Sequence, residues 1–498
     1  MIKFFKKYHK WLGVIITIFI LFFSVSGIVL NHRELLSNID VSRNILPAEY
    51  SYVNWNNAAV KGTLQTDTNT VLIYGNIGIW KTDTAFSQFS DFNMGFPTGV
   101  DNKKICKLFK TSEGHLYAGT FFGLFQYDNH QWNRIDIPVP HKRITDILEK
   151  DHKLLILTRD YLLKTHNDKD FEIITLPEPE DYINKIGLFK TLWVIHSGEI
   201  YGTIGKLIVD AVGLIFIFLT ITGLILFINT YIHRKRKRKG LAVVKTKKTK
   251  RWNLKWHNKI GWITIVFLLI TTITGMFLRP PLLVAIANTK VDKIPFTELD
   301  SPNPWFDKLR RLLYDEENER FILATLDGFY YSDDEFSTKL KRYDFQPPAS
   351  VMGVNVFKKT DTNNYLIGSF EGLFDWNPEK EIIIDHIDKV PYIKPEVAGP
   401  PIGKYLITGM TNSYKRKEVY FTYNVGAINP DKDFVEMPPA IQQQAMSLWN
   451  LMLEVHTGRI YTPIFGRLYI LVVPITGFII LFILISGFVV WYTKHRKI

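Results

Sequence analysis

Thirteen histidines punctuate the chain, and seven lie within a few residues of a long apolar run: His9, His32, His196, His233, His257, His456 and His495. A lone histidine at the end of an apolar helix is ordinarily an interfacial side chain, so any chemistry must lie in the spacing. His9 in "HKWLGV" (9–14) and His257 in "HNKIGW" (257–262) share one repeat position, 248 residues apart. His196 and His456 share another, 260 apart, in "LWVIHSGEIYGTIGKL" (192–207) and "LWNLMLEVHTGRIYTPIFGRL" (448–468). If the two halves are related by a two-fold axis, the members of each pair face one another. Two imidazoles facing across a bundle can take both axial positions of one haem iron. His9, His257, His196 and His456 are therefore candidate metal ligands, for two such sites. Gly13 and Gly261 follow the first pair by four residues, on the same helix face. A bare α-carbon there leaves room for a flat porphyrin, although glycine in a membrane helix serves helix packing equally well. His32, His233 and His495 lack clean repeat partners, and His32 aligns with Pro280. Lys10, Lys259, Arg33, Arg279 and Arg459 are candidate partners for haem propionates. Asp210, a costly carboxylate inside an apolar run, is read as the i,i+4 partner of Lys206.

The elements that must position these residues follow from hydropathy. Apolar runs occur at about 11–30, 207–232, 260–279 and 468–492, each near the ~20 residues that cross a ~30 Å hydrocarbon core. The order is helix, soluble segment, helix, short loop, helix, soluble segment, helix. The formal net charge of +13 is concentrated at the helix ends. Residues 1–10 carry four Lys, 233–259 thirteen Lys or Arg, the tail three more, and none of these pieces contains an acid. The rest holds 41 bases against 48 acids. Basic runs flanking membrane helices follow the positive-inside rule better than they suit nucleic acid. Both termini and the central loop are expected in the cytoplasm, and both soluble segments outside. The first run is too long for a signal-peptide core and is read as an uncleaved anchor. The single Cys106 excludes an intramolecular disulfide, a Cys-based cluster and haem attachment through C-x-x-C-H.

The chain is written twice. "YAGTFFGLFQYD" (117–128) matches "LIGSFEGLFDWN" (366–377), "GIWKTDTAF" (78–86) matches "GFYYSDDEF" (328–336), Gly27 matches Gly275, and Gly213 and Gly223 match Gly477 and Gly487. Parallel repeats imply an axis along the membrane normal. A shorter unit of about 40–45 residues recurs inside each soluble half, centred on Gly78, Gly123, Gly328 and Gly372, with weaker copies at 153–164 and 404–414. That is the length of one four-stranded propeller blade, and the glycines sit where a hairpin needs positive φ. About three units per half suggest one six-bladed propeller built from both halves. The competing expectation is two separate small β domains. The expected fold is thus a membrane protein with a four-transmembrane-helix bundle plus an extracytoplasmic all-β propeller-like domain, made by tandem duplication. Its segments are 1–33 (first helix), 34–191 (β repeats), 192–232 (second helix with its outer His motif), 233–256 (basic cytoplasmic loop), 257–280 (third helix), 281–447 (β repeats) and 448–498 (outer His motif, fourth helix and tail).

"HKWLGVIITIFILFFSVSGIVLNHR", "IHSGEIYGTIGKLIVDAVGLIFIFLTITGLILFI" and "HTGRIYTPIFGRLYILVVPITGFIILFILISGFVVWY" resemble the PepSY-associated transmembrane helix family. "ICKLFKTSEGHLYAGTFFGLFQYD" resembles the propeller repeats of two-component-regulator sensors. The first resemblance implies a bacterial inner-membrane protein with b-type haem that acts as a ferric-reductase-like oxidoreductase in iron uptake, with a ferric siderophore as periplasmic acceptor. Carried over residue by residue, it implies His9, His257, His196 and His456 as haem ligands. The soluble halves depart from the family's compact domains, which bears on the substrate more than on the haem. No G-x-G-x-x-G or other flavin or nicotinamide fingerprint occurs in the short cytoplasmic loop, so the electron donor is expected to be a quinol or a partner protein. Beyond membrane lipid, no nucleic-acid partner is expected. The alternative is a non-redox, membrane-anchored propeller that binds a partner or ligand outside the membrane.

Overall fold

The computed structural model describes residues 2–167, 169–361, 363–394, 403–428 and 434–495. The chain divides into two compact units. Met1–Leu36, Asn184–Ser301 and Leu448–Ile498 make a helical unit, and Ser37–Ile183 with Pro302–Ser447 a β unit. The division departs from the expected segments at three places, the first being residues 34–36, which stay with the helices. Residues 184–191 and 281–301 go with the helices, because Lys185–Gly187 pairs antiparallel with Lys290–Asp292 and Leu188 N–H donates to Thr289 O at 2.7 Å.

The helical unit is built on α1 (Ile2–Ile15), α2 (Thr17–Asn31), α3 (Leu188–Ser197), α4 (Gly202–Arg238), α5 (Val244–Ile263), α6 (Ile265–Phe277), α7 (Leu448–His456) and α8 (Val472–His495). Two helical stretches, Glu199–Arg238 and Arg459–Thr493, are each long and apolar enough to cross a membrane. The first and third apolar runs, each expected as one helix, are each broken in two. They bend by 62° between α1 and α2 and by 66° between α5 and α6, so the described residues hold two candidate spans, or up to four if each bent pair is one span. The breaks fall at Ile16 and Thr264, again 248 residues apart. Each follows a glycine by three residues, and near each a threonine hydroxyl bonds back into the helix: Thr17 Oγ1 to Gly13 O and Thr264 Oγ1 to Ile260 O, both 2.8 Å. Hydroxyl back-bonding beside glycine is a recognised cause of helix bending. The bend shifts each helix's main neighbour: α2 lies on α4 but α1 chiefly on α8, and α6 lies on α8 but α5 chiefly on α4.

Among the described residues the β unit holds six antiparallel sheets of three to five strands, three from each half of the chain with strands in sequence order, and a two-stranded ribbon that pairs Asp40–Val41 with Met446–Ser447. The first strands of the six sheets are β1 (Gly62–Gln65), β2 (Ile105–Lys110), β3 (Ile144–Lys150), β4 (Leu309–Asp315), β5 (Val356–Asp361) and β6 (Ile407–Tyr414). Each packs beside the next, and β6 packs beside β1. The halves share their cores. Trp55, Val60 and Ile73 cluster with Tyr414, Phe421 and Met437, and Leu155 and Leu157 with Trp305, Leu309 and Phe321. Two separate β domains are therefore not what forms. The repeat unit's Thr and Gly have a local cause. Thr120, Thr158, Thr325 and Thr422 each donate a hydroxyl across the hairpin, to Gly123 O, Tyr161 O, Gly328 O and Gly426 O at 2.8–3.1 Å. Gly78, Gly123, Gly328 and Gly372 all adopt positive φ.

One carboxylate ties the fourth sheet to the fifth. Asp315 is fully buried. It accepts from Lys359 Nζ, from Tyr365 Oη at 2.5 Å and from Asn318 Nδ2 at 2.8 Å. Burial alone would raise its pKa, but these hydrogen bonds outweigh it and hold the carboxyl at about 2. A depressed folded pKa contributes stability above the unfolded value near ~4 and loses it as pH falls through the folded one. We expect acid melting curves of the parent to steepen between about pH 4 and about pH 2, and Asp315→Asn to be destabilised at neutral pH and to lose that sensitivity. An unchanged acid limb in Asp315→Asn would contradict this assignment.

Candidate functional site: two histidine pairs in the helical unit

Each outer histidine stands in the last turn of a short helix, His196 in α3 and His456 in α7. The glycine two residues on, Gly198 or Gly458, closes that helix in the left-handed region, with φ of 82° and 79°. This is the usual duty of a C-cap glycine, and it explains the duplicated His-Ser/Thr-Gly: the helix stops and the chain turns into a 3-10 segment. The inner histidines, His9 and His257, lie mid-helix in α1 and α5, before the bends.

The structure brings the repeat-related histidines together. The ring centroids of His9 and His257 are 6.2 Å apart with planes at 89°. Those of His196 and His456 are 5.9 Å apart with planes at 48°. Every Nδ1 is engaged by a neighbouring helix. His9 Nδ1 meets Ile483 O at 3.0 Å and Ser486 Oγ at 3.3 Å on α8. His257 Nδ1 meets Thr222 Oγ1 at 2.9 Å on α4. His196 Nδ1 meets Thr271 O at 3.0 Å and Thr274 Oγ1 at 3.3 Å on α6. His456 Nδ1 meets Phe23 O at 3.1 Å and Ser26 Oγ at 2.9 Å on α2. Among the described residues no hydrogen bond engages the Nε2 of any of the four rings.

The residues after those hydroxyls are Gly27, Gly223, Gly275 and Gly487. A Cβ on them would lie 3.2, 3.5, 2.6 and 2.9 Å from the Cε1 of His456, His257, His196 and His9 respectively. Sequence reasoning used these glycines only as repeat markers and missed Ser26, Thr222, Thr274 and Ser486. The signal was present: a Ser/Thr–Gly dipeptide recurs at offsets of 248 (26 to 274) and 264 (222 to 486).

The other expected site residues divide. Gly13 has no heavy atom within 4 Å of a built Cβ, and Gly261 only Leu219 Cδ2 at 3.8 Å. Arg459 is held by Glu454, Nε to Oε2 at 2.8 Å, so its charge is already met. Among the described residues the buried Nε of Arg279 meets no hydrogen-bond partner. Arg33 stacks on Trp449, its guanidinium carbon 3.9 Å from the ring centroid. Lys10 lies over Phe227 and Lys259 over Trp256. Asp210 does not pair with Lys206, which reaches Glu199 at 3.0 Å instead. It accepts from His32 Nε2 at 2.7 Å and Asn31 Nδ2 at 2.9 Å. Two donors on α2 and its cap outcompete a lysine whose flexible chain can reach another acid. His32 is thereby occupied away from the pairs. His233 bonds Thr246 Oγ1 at 2.8 Å, and the side chain of His495 lies outside the described residues. Among the described residues no group of three or more His, Cys, Asp or Glu could hold a bare metal ion.

No curated protein matches the chain. Among solved structures, the extracellular domains of two hybrid two-component systems from B. thetaiotaomicron match with TM-scores of 0.35 and 0.34, at 10% and 12% identity. The matches cover 74% and 76% of this chain and 32% and 39% of theirs, so this chain spans well under half of those proteins. The family model described as the PepSY-associated TM region matches residues 2–230 and again 187–494. Together these matches take in both histidine pairs and all four apolar runs, and this chain belongs to the PepSY-associated TM region family.

Proposed function

We propose that the protein carries electrons across a bacterial inner membrane through two b-type haems, each held between a histidine pair. The observation that carries this reading is the pairing itself, with every Nδ1 engaged and every Nε2 left over. A metal held by two imidazoles through bonds of ~2 Å keeps their ring centroids about 6 Å apart, close to both observed separations. A porphyrin supplies the remaining four ligands, so two histidines suffice where a bare ion finds no site. The space at Gly13 and the orphaned Nε of Arg279 suit a flat ring and an anionic propionate. The residues present therefore fit the group. His9 and His257 would hold one haem, His196 and His456 the other, and Arg279 would meet a propionate of the second; Arg459 is less suited because Glu454 occupies it. Bound there, haem supplies one-electron exchange at its iron. The chain's own part is to hold the rings, exclude water with the surrounding apolar helices and keep the two sites at different depths.

The same reading takes the two bent pairs as spans, giving a four-helix bundle with both termini on the Lys/Arg-rich cytoplasmic side. It takes the six sheets as one six-bladed propeller on the outer side, supported by the packing of β6 beside β1. The acceptor is then extracytoplasmic, a ferric siderophore being the family-based choice, and the donor a quinol or a partner protein. Purified from haem-replete cells in detergent, the protein should show a Soret band and the paired visible bands of reduced bis-histidine haem. A colourless preparation would leave only a membrane-anchored, ligand-binding β unit.

A further inference from the structure

The four histidines share a device that neither pairing nor family requires. Each ring is met by a Ser or Thr hydroxyl at one helix position and a glycine at the next, and three of the four also meet the carbonyl three residues before the hydroxyl. The hydroxyl has one proton, and each uses it on its own helix. Ser26 Oγ donates to Phe23 O at 3.2 Å, Thr222 Oγ1 to Phe218 O at 2.8 Å, Thr274 Oγ1 to Ile270 O at 2.7 Å and Ser486 Oγ to Ile483 O at 3.0 Å. A hydroxyl whose proton is committed can only accept from the ring, and a carbonyl can never do otherwise. Nδ1 must therefore carry the proton, which leaves Nε2 as a lone pair.

We propose that the four Ser/Thr–Gly pairs, at Ser26, Thr222, Thr274 and Ser486, are positioning elements for haem ligation. The hydroxyl selects the Nδ1–H tautomer at all four rings, and at Gly27, Gly275 and Gly487, where a Cβ would come within 2.6–3.2 Å of the imidazole, the bare α-carbon also lets the ring lie close enough to be held in one plane; at Gly223 the approach is an ordinary 3.5 Å contact and the hydroxyl acts alone. The proposal rests on the haem reading. It follows that the hydroxyls tune the iron as well as orient its ligands. A hydrogen bond accepted from Nδ1–H makes the imidazole a stronger donor and favours the ferric state; such outer partners typically matter 10–100-fold in metal affinity. It follows too that the sites are inequivalent. Imidazole planes at 89° leave two iron d orbitals nearly degenerate, whereas planes at 48° split them.

The test uses the full-length protein in detergent, with haem content, redox titration and low-temperature EPR of the ferric form. The parent should give two low-spin signals, the more anisotropic one lost in His9→Ala. Thr222→Val keeps the shape and removes the hydroxyl. It should raise the potential of the inner haem alone and weaken its retention by about 10-fold, and Thr222→Ser should restore both. Gly275→Ala sets a Cβ against His196 and should strip or displace the outer haem, while Gly223→Ala, where the contact is ordinary, should leave the inner one in place. A haem-free parent overturns the haem reading itself. A haem-loaded parent whose inner potential is unmoved by Thr222→Val, or moved but not restored by Thr222→Ser, overturns the positioning role alone. Equal effects of the two glycine substitutions do the same.

Discussion

If each histidine pair holds a haem, as proposed, replacing His196 or His456 by alanine should remove about half of the bound haem and leave the rest spectrally intact, and replacing His9 or His257 should remove the other half. The physical basis is independence of the two pairs. The outer rings rest on α2 and α6 and the inner rings on α8 and α4. His257 and Thr274 are 17 residues apart, about 25 Å along the helical path at ~1.5 Å per residue. Loss of one axial ligand leaves a haem held by one bond in an apolar bundle, and it should wash out during purification. His32→Ala and His233→Ala should keep full haem content, because those rings are committed to Asp210 and Thr246. Pyridine haemochrome quantitation of the six variants decides the matter. If His32→Ala strips a haem while His196→Ala does not, the outer pairing is wrong and the duplicated motif is only a helix stop.

A large stability loss in the β unit is expected from replacing Asp146. Its carboxylate is buried on β3, in the first half of the chain. It meets Lys107 Nζ at 2.9 Å on β2 and, from the second half, Arg311 Nη1 at 3.4 Å and the Leu312 N–H at 3.1 Å on β4. Burial opposes its ionisation, but the two cations outweigh that and hold its pKa below the ordinary value. Asp146→Ala leaves a lysine and an arginine close together with no anion between them. Breaking a buried pair this way typically costs 3–5 kcal/mol. Arg311 keeps its bonds to Val354 O and Asn355 O at 3.0 and 2.9 Å, which places the expectation near ~3 kcal/mol. Asp146→Asn, which keeps the shape and one acceptor, should lose less. Thermal melting of full-length protein measures both, and an Asp146→Ala transition coincident with the parent's would remove this carboxylate from the account of how the halves hold together.

Much of this was legible in the residues themselves. The 248-residue offset between His9 and His257 named one pair, and the shared "H-S/T-G" named the other, because duplication copies positions and a two-fold axis brings copies face to face. The Gly of each β repeat announced a hairpin through strictly local chemistry, a backbone needing positive φ, and the Thr hydroxyl that reaches three or four residues on serves the same turn. Family membership lay in the same apolar runs. What the sequence could not reveal depended on which helix each residue meets. Hydropathy counts apolar residues and is blind to direction, so it gave the first and third runs as one helix each. The bends at Ile16 and Thr264 come from back-bonded hydroxyls beside Gly13 and Gly261, and they hand each inner helix to a new main neighbour. Asp210 shows the same limit: Lys206 was nearer in sequence, but His32 and Asn31 are fixed on the adjoining helix cap while a lysine chain is free to swing to Glu199. The hydroxyls of Ser26, Thr222, Thr274 and Ser486 stand 35 to 477 residues from the rings they meet. A hydrogen bond between distant segments has no period and no spacing to read, and only packing decides which proton goes where.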